Sequence, residues 1–234
     1  MEVAILYSGG KDSTYAIEYA MSRGWDIKYL LSVKPTRKDC YLFHFATVEF
    51  TKELSKVLDI KHIYTTCDIE NPEKEALIVK DIVSKNKVDA LILGGVGLQE
   101  TQIRSLQKAL VPLGIEVFAA HAGDDEEAVL KDILKKGYKI LITQVASDGL
   151  ISWLGREINF DSFEDLKRDS IKYGFNLLGE GGYYDSLVYD GPIFKKRLEI
   201  LHSEKIIEGK YNGYLKINKF RIVNKPFKMI SFSN

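Results

Sequence analysis

The stretch that decides the fold is Ile5-Leu6-Tyr7-Ser8-Gly9-Gly10-Lys11-Asp12-Ser13. Its apolar first part has the composition of a buried strand, and sequence with helical spacing follows it directly. Two glycines at the junction allow a tight turn, so that successive backbone N–H groups can point at one anion. The following helix adds the positive end of its dipole. Residues 8–13, the phosphate loop, are therefore predicted to bind phosphate where a strand enters a helix.

The side chains of the phosphate loop suit the same ligand. Lys11 brings a positive charge, and the hydroxyls of Ser8 and Ser13 can donate hydrogen bonds. Asp12 is the candidate ligand for Mg²⁺, held directly or through water. The alternative is a plain strand-to-helix turn, with Lys11 and Asp12 in solvent on the first turn of the helix.

Outward from the loop, apolar runs of strand length alternate with helical patterns. The strand-like runs cover residues 3–7, 27–33, 62–65, 90–93 and 116–119. The helical patterns between them cover residues 12–23, 46–58, 73–86 and 100–113. This alternation is typical of a parallel sheet covered on both faces. We predict an α/β fold, with a doubly wound, Rossmann-like domain over residues 1–122 and with Asp12 or Ser13 capping its first helix.

The pattern changes in the second half of the chain. A helix over residues 126–136 and a strand over 139–145 are predicted first. From residue 179 onward the sequence indicates turns and alternating strands, with a period of two in residues 215–222. We predict a smaller α+β lobe, residues 123–234, that binds the substrate. Because no linker rich in proline or glycine separates the lobes, we expect them to pack closely around a shared cleft.

Composition narrows the function classes. The 234 residues carry 33 basic and 33 acidic side chains, so no overall charge favours nucleic acid or an anionic membrane. No apolar run approaches the roughly 20 residues of a membrane span, and Cys40 and Cys67 show no metal-type spacing. We expect a cytoplasmic protein with reduced thiols and without membrane or direct nucleic-acid contact. The sequence leaves a homo-oligomer open.

The phosphate loop lacks the Walker pattern, because the four-residue gap and the Gly-Lys-Ser/Thr ending are missing. It resembles instead the PP-loop of the ATP pyrophosphatases, a family with a Rossmann-like fold. That resemblance implies that ATP, with Mg²⁺, is cleaved between its α and β phosphates.

A second unusual stretch is Gly179-Glu180-Gly181-Gly182-Tyr183-Tyr184-Asp185-Ser186, the glycine string, followed by Asp190-Gly191-Pro192. It resembles the C-terminal signature of the diphthine ammonia ligases, usually Gly-Glu-Gly-Gly-Glu-Tyr-Glu-Thr and later Asp-Gly-Pro. Leu42-Phe43-His44 and residues 145–156 match further family elements, so the resemblance spans nearly the whole chain. The chain departs from the signature at Tyr183, where the family has a glutamate. Asp185 and Ser186 are milder changes.

The resemblance implies an ATP-dependent ligase that amidates the carboxylate of diphthine, a modified histidine of elongation factor 2, with ammonium. AMP and pyrophosphate would be released. The implied catalytic residues are Lys11, Asp12 and Glu180, with Asp12 as the metal ligand. The implied nucleotide contacts are Ser8, Gly9, Gly10, Lys11, Asp12, Ser13, Ser32, Val33 and His44. The implied acceptor contacts are Glu180, Gly181, Gly182, Tyr183, Tyr184 and Arg104, the last from a poorly matched stretch.

Alternatives remain open at several points. The same loop would serve an enzyme that adenylates tRNA, or a module that binds an adenine nucleotide without turnover. For His44 the alternative is packing beside Phe43 and Phe45, and for Tyr189 packing is favoured over stacking on a ligand. His62, His121 and His202 lack metal-ligand spacing and are assigned no role.

Overall fold

The computed structural model describes residues 1–36 and 48–225 of the chain. Its first half is a parallel sheet with strand order β3-β2-β1-β4-β5. The strands are β1 (Glu2–Leu6), β2 (Asp26–Pro35), β3 (His62–Cys67), β4 (Ala90–Leu93) and β5 (Glu116–Ala119). The helices are α1 (Lys11–Ser22), α2 (Thr51–Leu58), α3 (Pro72–Lys85) and α4 (Glu100–Leu110). The predicted α/β fold with a doubly wound parallel sheet is confirmed.

Alternating residues of β1 show why the sheet is covered on both faces. Val3 and Ile5 pack into one apolar cluster with α1 and α2, whereas Ala4 packs into a second cluster with α3 and α4. All three side chains are fully buried. The unbroken apolar run of this central strand, residues 3–6, follows directly from this two-sided burial.

The start of α1 corrects one expectation. The N-cap is Gly10, which has extended backbone (φ −78°, ψ 170°) and no side-chain cap. Asp12 lies within the first turn, so the prediction that Asp12 or Ser13 caps this helix was wrong. The physical reason lies far along the chain: the orphan N–H of Lys11 is capped by the hydroxyl of Ser186, at 3.2 Å.

The second half forms an antiparallel sheet in the order β7-β6-β10-β9, and β8 also pairs with β6. Its elements are α5 (Glu126–Lys135), β6 (Lys139–Ala146), β7 (Glu157–Ile158), α6 (Phe160–Tyr173), β8 (Tyr184–Asp190), β9 (Lys196–Ile207) and β10 (Asn212–Asn224). The predicted antiparallel character is confirmed. Helix α6 was not predicted, although Asn159 caps its start and Gly174 ends it.

The two lobes share one core. A single buried cluster joins Ile5 of β1 and Ile17 of α1 to Ile140 of β6 and Leu187 of β8. The expected close packing of the lobes is therefore observed, while the boundary at residues 122 and 123 stays a prediction. No helix in the described ranges has the length and apolar character needed to cross a membrane.

Candidate active site

The phosphate loop is folded so that its two serines meet. Gly9 adopts a left-handed conformation (φ +82°), which a side chain would strain. Beyond this turn, the Ser8 N–H donates to Ser13 Oγ at 3.2 Å, and the two hydroxyl oxygens lie 3.1 Å apart. The hydroxyl of Ser13 also donates to the Gly10 carbonyl. Both serines therefore present polar atoms at the carboxyl end of β1.

A pocket lies beside these serines, and we call it the loop pocket. It sits where β1 and β4 are neighbours, at the point where the strand order reverses, which is where open α/β sheets bind ligands. Its lining residues are Leu6, Tyr7, Ser8, Ser13, Val33, Val48, Leu93, Gly94, Gln99 and Gln102. Apolar walls with a few polar groups suit a flat, partly polar ligand.

The loop pocket contains some predicted residues and omits others. Ser8, Ser13 and Val33 line it. Ser32 does not line the pocket; it is fully buried, and its hydroxyl donates at 2.6 Å to the carbonyl of Tyr7, which is a lining residue. Gln99 and Gln102 were missed by the sequence analysis, although they follow β4 at the same edge of the sheet. His44 and the element around it lie outside the described residues.

Lys11 points from the loop toward the second lobe. Its side chain is only 2% exposed. The ammonium donates to Asp12 Oδ2 at 2.9 Å and to the Leu178 carbonyl, and lies 5.0 Å from the centre of the Tyr184 ring. Burial acts to lower the pKa of Lys11, but Asp12, Tyr184 and Glu180 together outweigh it and raise the pKa above its ordinary value. Lys11 is therefore a permanent positive charge at the junction of the lobes.

Asp12 has one carboxylate oxygen to spare. Oδ2 pairs with Lys11, whereas Oδ1 is buried without a hydrogen-bond partner in the described structure. Residues 1–36 and 48–225 hold no group of three or more His, Cys, Asp or Glu side chains placed to bind a metal. Mg²⁺ needs fewer protein ligands, because one or two carboxylates and substrate phosphates usually hold it. The orphaned Oδ1 therefore fits the predicted metal ligand.

Glu180 holds the glycine string against the loop that follows β4. Its Oε1 accepts from the Val96 N–H at 2.5 Å and its Oε2 from the Leu98 N–H at 3.0 Å. A Cβ on Gly95 would lie 2.3 Å from Oε1, so only glycine leaves room for this carboxylate. Burial first, and the nearby Asp12 charge second, raise the pKa of Glu180 above its ordinary value. Both carboxylate oxygens of Glu180 therefore form hydrogen bonds that connect the two lobes.

Strand β8 completes the junction. Ser186 caps the Lys11 N–H, and the Val188 N–H donates to the Gly9 carbonyl at 2.9 Å. A Cβ on Gly10 would lie 3.1 Å from the Ser186 carbonyl. The phosphate loop and the glycine string, recognised separately in the sequence, are therefore parts of one site.

A second pocket lies on the glycine string, and we call it the string pocket. Its lining residues are Leu98, Glu126, Ser170, Ile171, Gly174, Phe175, Asn176, Leu177, Glu180, Gly181 and Tyr183. Neighbouring residues of one loop, Leu98 and Gln99, line the string pocket and the loop pocket respectively. The two pockets therefore flank the loop that Glu180 holds in place.

The predicted acceptor residues divide between this pocket and other places. Glu180, Gly181 and Tyr183 line it, whereas Gly182 does not. Tyr184 is buried, and its hydroxyl donates to the Leu177 carbonyl at 2.6 Å. Arg104 is an exposed side chain of α4, paired with Glu100 at 2.8 Å, and it lines neither pocket.

Comparison with known proteins identifies the family. The model of the diphthamide synthase N-terminal domain matches residues 1–117, and that of the C-terminal domain matches residues 125–223. The chain belongs to the diphthamide synthase family. Its membership confirms the family predicted from the phosphate loop and the glycine string, and confirms that the chain is an enzyme.

Individual relatives agree with this assignment. The chain is 27% identical over 231 residues to the diphthine–ammonia ligase of Homo sapiens, covering 88% of this chain and 85% of that protein. It is 24% identical over 252 residues to the Mus musculus ligase, covering 96% and 94%. Among solved structures, it is similar to a predicted subunit of tRNA methyltransferase from Methanocaldococcus jannaschii. That similarity has a TM-score of 0.41 at 14% identity and covers 80% of this chain and 96% of the other, too weak to support an argument.

Within this diphthamide synthase family member, His62 and His121 are accounted for by local contacts. His121 stacks on Tyr15 with ring centroids 4.4 Å apart, and its Nδ1 lies 3.0 Å from Asp124. His62 contacts the buried hydroxyl of Ser32 at 2.9 Å. Neither lines the loop pocket or the string pocket.

Proposed function

We propose that this chain is a diphthine–ammonia ligase that binds ATP in the loop pocket and the acceptor in the string pocket. The observation that carries the proposal is the junction around Lys11, whose ammonium links the phosphate loop to Leu178 at the start of the glycine string. Two pockets flanking one loop suit a reaction that joins two substrates. The relatives named diphthine–ammonia ligase support this acceptor.

The chemistry explains why ATP is needed. A carboxylate resists attack by ammonia because it is anionic and would have to lose oxide. In the proposed reaction, a carboxylate oxygen attacks the α phosphorus of ATP, and the bond between the α and β phosphates breaks to release pyrophosphate. Ammonia then attacks the carbonyl carbon of the acyl adenylate, a proton leaves the nitrogen, and AMP departs with the former carboxylate oxygen.

The phosphate loop would supply most of the nucleotide contacts. The hydroxyls of Ser8 and Ser13 and the backbone of Gly9 and Gly10 would bind the phosphates, and Lys11 would offset their negative charge. Val33 would form part of the adenine wall, while Ser32 would support that wall from behind. His44 keeps its predicted role as a nucleotide contact.

Asp12 would hold Mg²⁺ through Oδ1, and the ion would offset charge on the phosphates when bound. On the acceptor side, the backbone of Gly181 and the ring of Tyr183 would contact the substrate, with Gly182 and Tyr184 shaping the string behind them. Glu180 would position these groups. Arg104 remains an acceptor contact predicted from the sequence alone. Its side chain is exposed and lines neither pocket.

The test is to incubate the protein with ATP, Mg²⁺, ammonium and elongation factor 2 carrying diphthine. We expect AMP and pyrophosphate to form in step with the loss of mass that accompanies conversion of the acid to the amide. AMP formation that requires tRNA instead would overturn the acceptor assignment. Nucleotide binding without AMP formation under any of these conditions would indicate a nucleotide-binding module. A cytoplasmic location and elongation factor 2 as partner are part of this proposal.

A further inference from the structure

The string pocket contains a carboxylate that the sequence analysis did not select. Glu126 is the first residue of α5 and lines the string pocket together with Glu180 and Tyr183. Asn176 fixes its position, because Asn176 Nδ2 donates to Glu126 Oε1 while Asn176 Oδ1 accepts from the Glu180 N–H at 3.0 Å. Glu126 is therefore tied to the glycine string through one side chain, although the two are more than fifty residues apart in sequence.

Three lining residues of this pocket, Glu126, Glu180 and Tyr183, differ in what they can offer a ligand. Both oxygens of Glu180 accept backbone N–H groups, so its charge is already used in joining the lobes. Tyr183 is neutral, whereas the diphthine ammonia ligase signature that this stretch resembles has a glutamate at the same place. Glu126 Oε2, in contrast, has no hydrogen-bond partner within residues 1–36 and 48–225. The negative group available to a ligand is thus at Glu126.

The surroundings favour a positively charged ligand. Among the described residues, the lining contains no lysine or arginine, and it includes the aromatic rings of Phe175 and Tyr183, whose faces attract cations. The N-terminus of α5 opposes a cation with a partial charge of about one half, but the Glu126 carboxylate carries a full charge and belongs to a residue that lines the pocket. The carboxylate therefore decides the sign of the local field.

We propose that Glu126 binds an ammonium-type cation in the string pocket and takes the place of the carboxylate absent at Tyr183. This inference rests on the proposed ligase function. The cation is either the ammonium substrate or a cationic group of the acceptor, since both present the same chemistry to a carboxylate. The position beside Glu180 places the cation next to the residues proposed to hold the acceptor.

The experiment compares wild type, Glu126→Gln and the matched control Glu127→Gln, which removes the same charge from the neighbouring residue. Glu127 pairs with Lys131 and Lys167 and does not line the pocket. The KM values for ammonium, acceptor and ATP are measured separately, together with thermal unfolding. We expect Glu126→Gln to raise one of the first two KM values by about 10-fold or more, with the KM for ATP unchanged.

The pattern of changes identifies the cation. A raised KM for ammonium assigns the site to that substrate, and a raised KM for the acceptor assigns it to a cationic group of the acceptor. The double variant Glu126→Gln with Tyr183→Glu should recover much of the loss, because it restores a carboxylate in the same pocket. Equal KM values in wild type and Glu126→Gln, or a parallel rise that includes ATP, would overturn the inference. A wild-type protein that makes no amide would instead refute the ligase function itself.

Discussion

The backbone N–H of Lys11 donates a hydrogen bond to Ser186 Oγ at 3.2 Å, across a separation of 175 residues. The N-cap residue of α1, Gly10, has no side chain that could do this. The second lobe therefore supplies the cap for the helix that carries the phosphate loop. Since such a cap fixes the direction of the first N–H groups of the helix, it also fixes the groups that would face the phosphates.

Removing this cap should weaken nucleotide binding. For Ser186→Ala we expect the free energy of unfolding to fall by about 1 kcal/mol and the KM for ATP to rise, because the loop loses its support from β8. Ser186→Thr keeps a hydroxyl and should retain most ATP affinity. Ser55→Ala is the matched control, since Ser55 is equally buried but its hydroxyl donates within α2, to the Lys52 carbonyl. An unchanged KM for ATP in Ser186→Ala would contradict the coupling.

Replacing the buried ammonium of Lys11 should strongly slow turnover. For Lys11→Met we expect the rate of AMP formation to fall by about 100-fold or more, because a charge that offsets the phosphates is lost. Lys28→Met is the control, since Lys28 pairs at the surface with Glu2 and Asp26, and such exposed pairs contribute little. The pKa of Lys11 is raised, so this lysine should not limit the rate up to about pH 10. Full turnover in Lys11→Met would exclude a role for it.

Features that depend on residues close together in the sequence could be predicted from it. The path from β1 through Gly9 to α1 could be predicted because apolar runs, glycines and helical spacing are local signals. Both signature motifs could also be recognised locally. The same reasoning could have found the pair of glycines after β4, since Gly94 and Gly95 follow a buried strand at the ligand-binding edge.

Features that depend on distant residues could not be predicted in this way. Nothing near Ser186 indicates that it caps α1, and nothing near Glu126 indicates that Asn176 holds it against the glycine string. Arg104 illustrates the opposite case, because a linear match placed it with the acceptor, whereas α4 directs it into solvent beside Glu100. Ser32 alternates with Val33 along β2, so only Val33 reaches the pocket.

Adding a methyl group at Gly95 should break the link between the lobes. Its Cβ would lie 2.3 Å from Glu180 Oε1, and Gly95 also has a left-handed φ of +86°. Gly114→Ala isolates the backbone effect, because Gly114 has a φ of +76° with no atom within 4 Å of the added group. We expect about 1 to 2 kcal/mol of destabilisation for Gly114→Ala and a clearly larger loss, together with loss of amide formation, for Gly95→Ala. Equal losses in the two variants, measured by urea unfolding, would refute the link.

Acid should destabilise the protein through His62. Burial first, and the positive charge of Lys52 second, lower the pKa of His62 from 6.5 to about 4. Between these two values the unfolded chain binds a proton that the folded chain does not, so the free energy of unfolding falls as pH falls through this window. Because His62 is partly exposed, we expect the contribution to be on the order of 1 to 2 kcal/mol.

The measurement is urea unfolding at several pH values between about 4 and 7, a range that spans the two pKa values of His62. His62→Gln retains an amide that can contact Ser32 but cannot be protonated, so its unfolding free energy should depend less on pH than that of wild type. His202→Gln is the control, because His202 is exposed on β9. If wild type and His62→Gln lose stability in parallel as the pH falls, then His62 is not the group responsible, and other titrating side chains must account for the acid sensitivity.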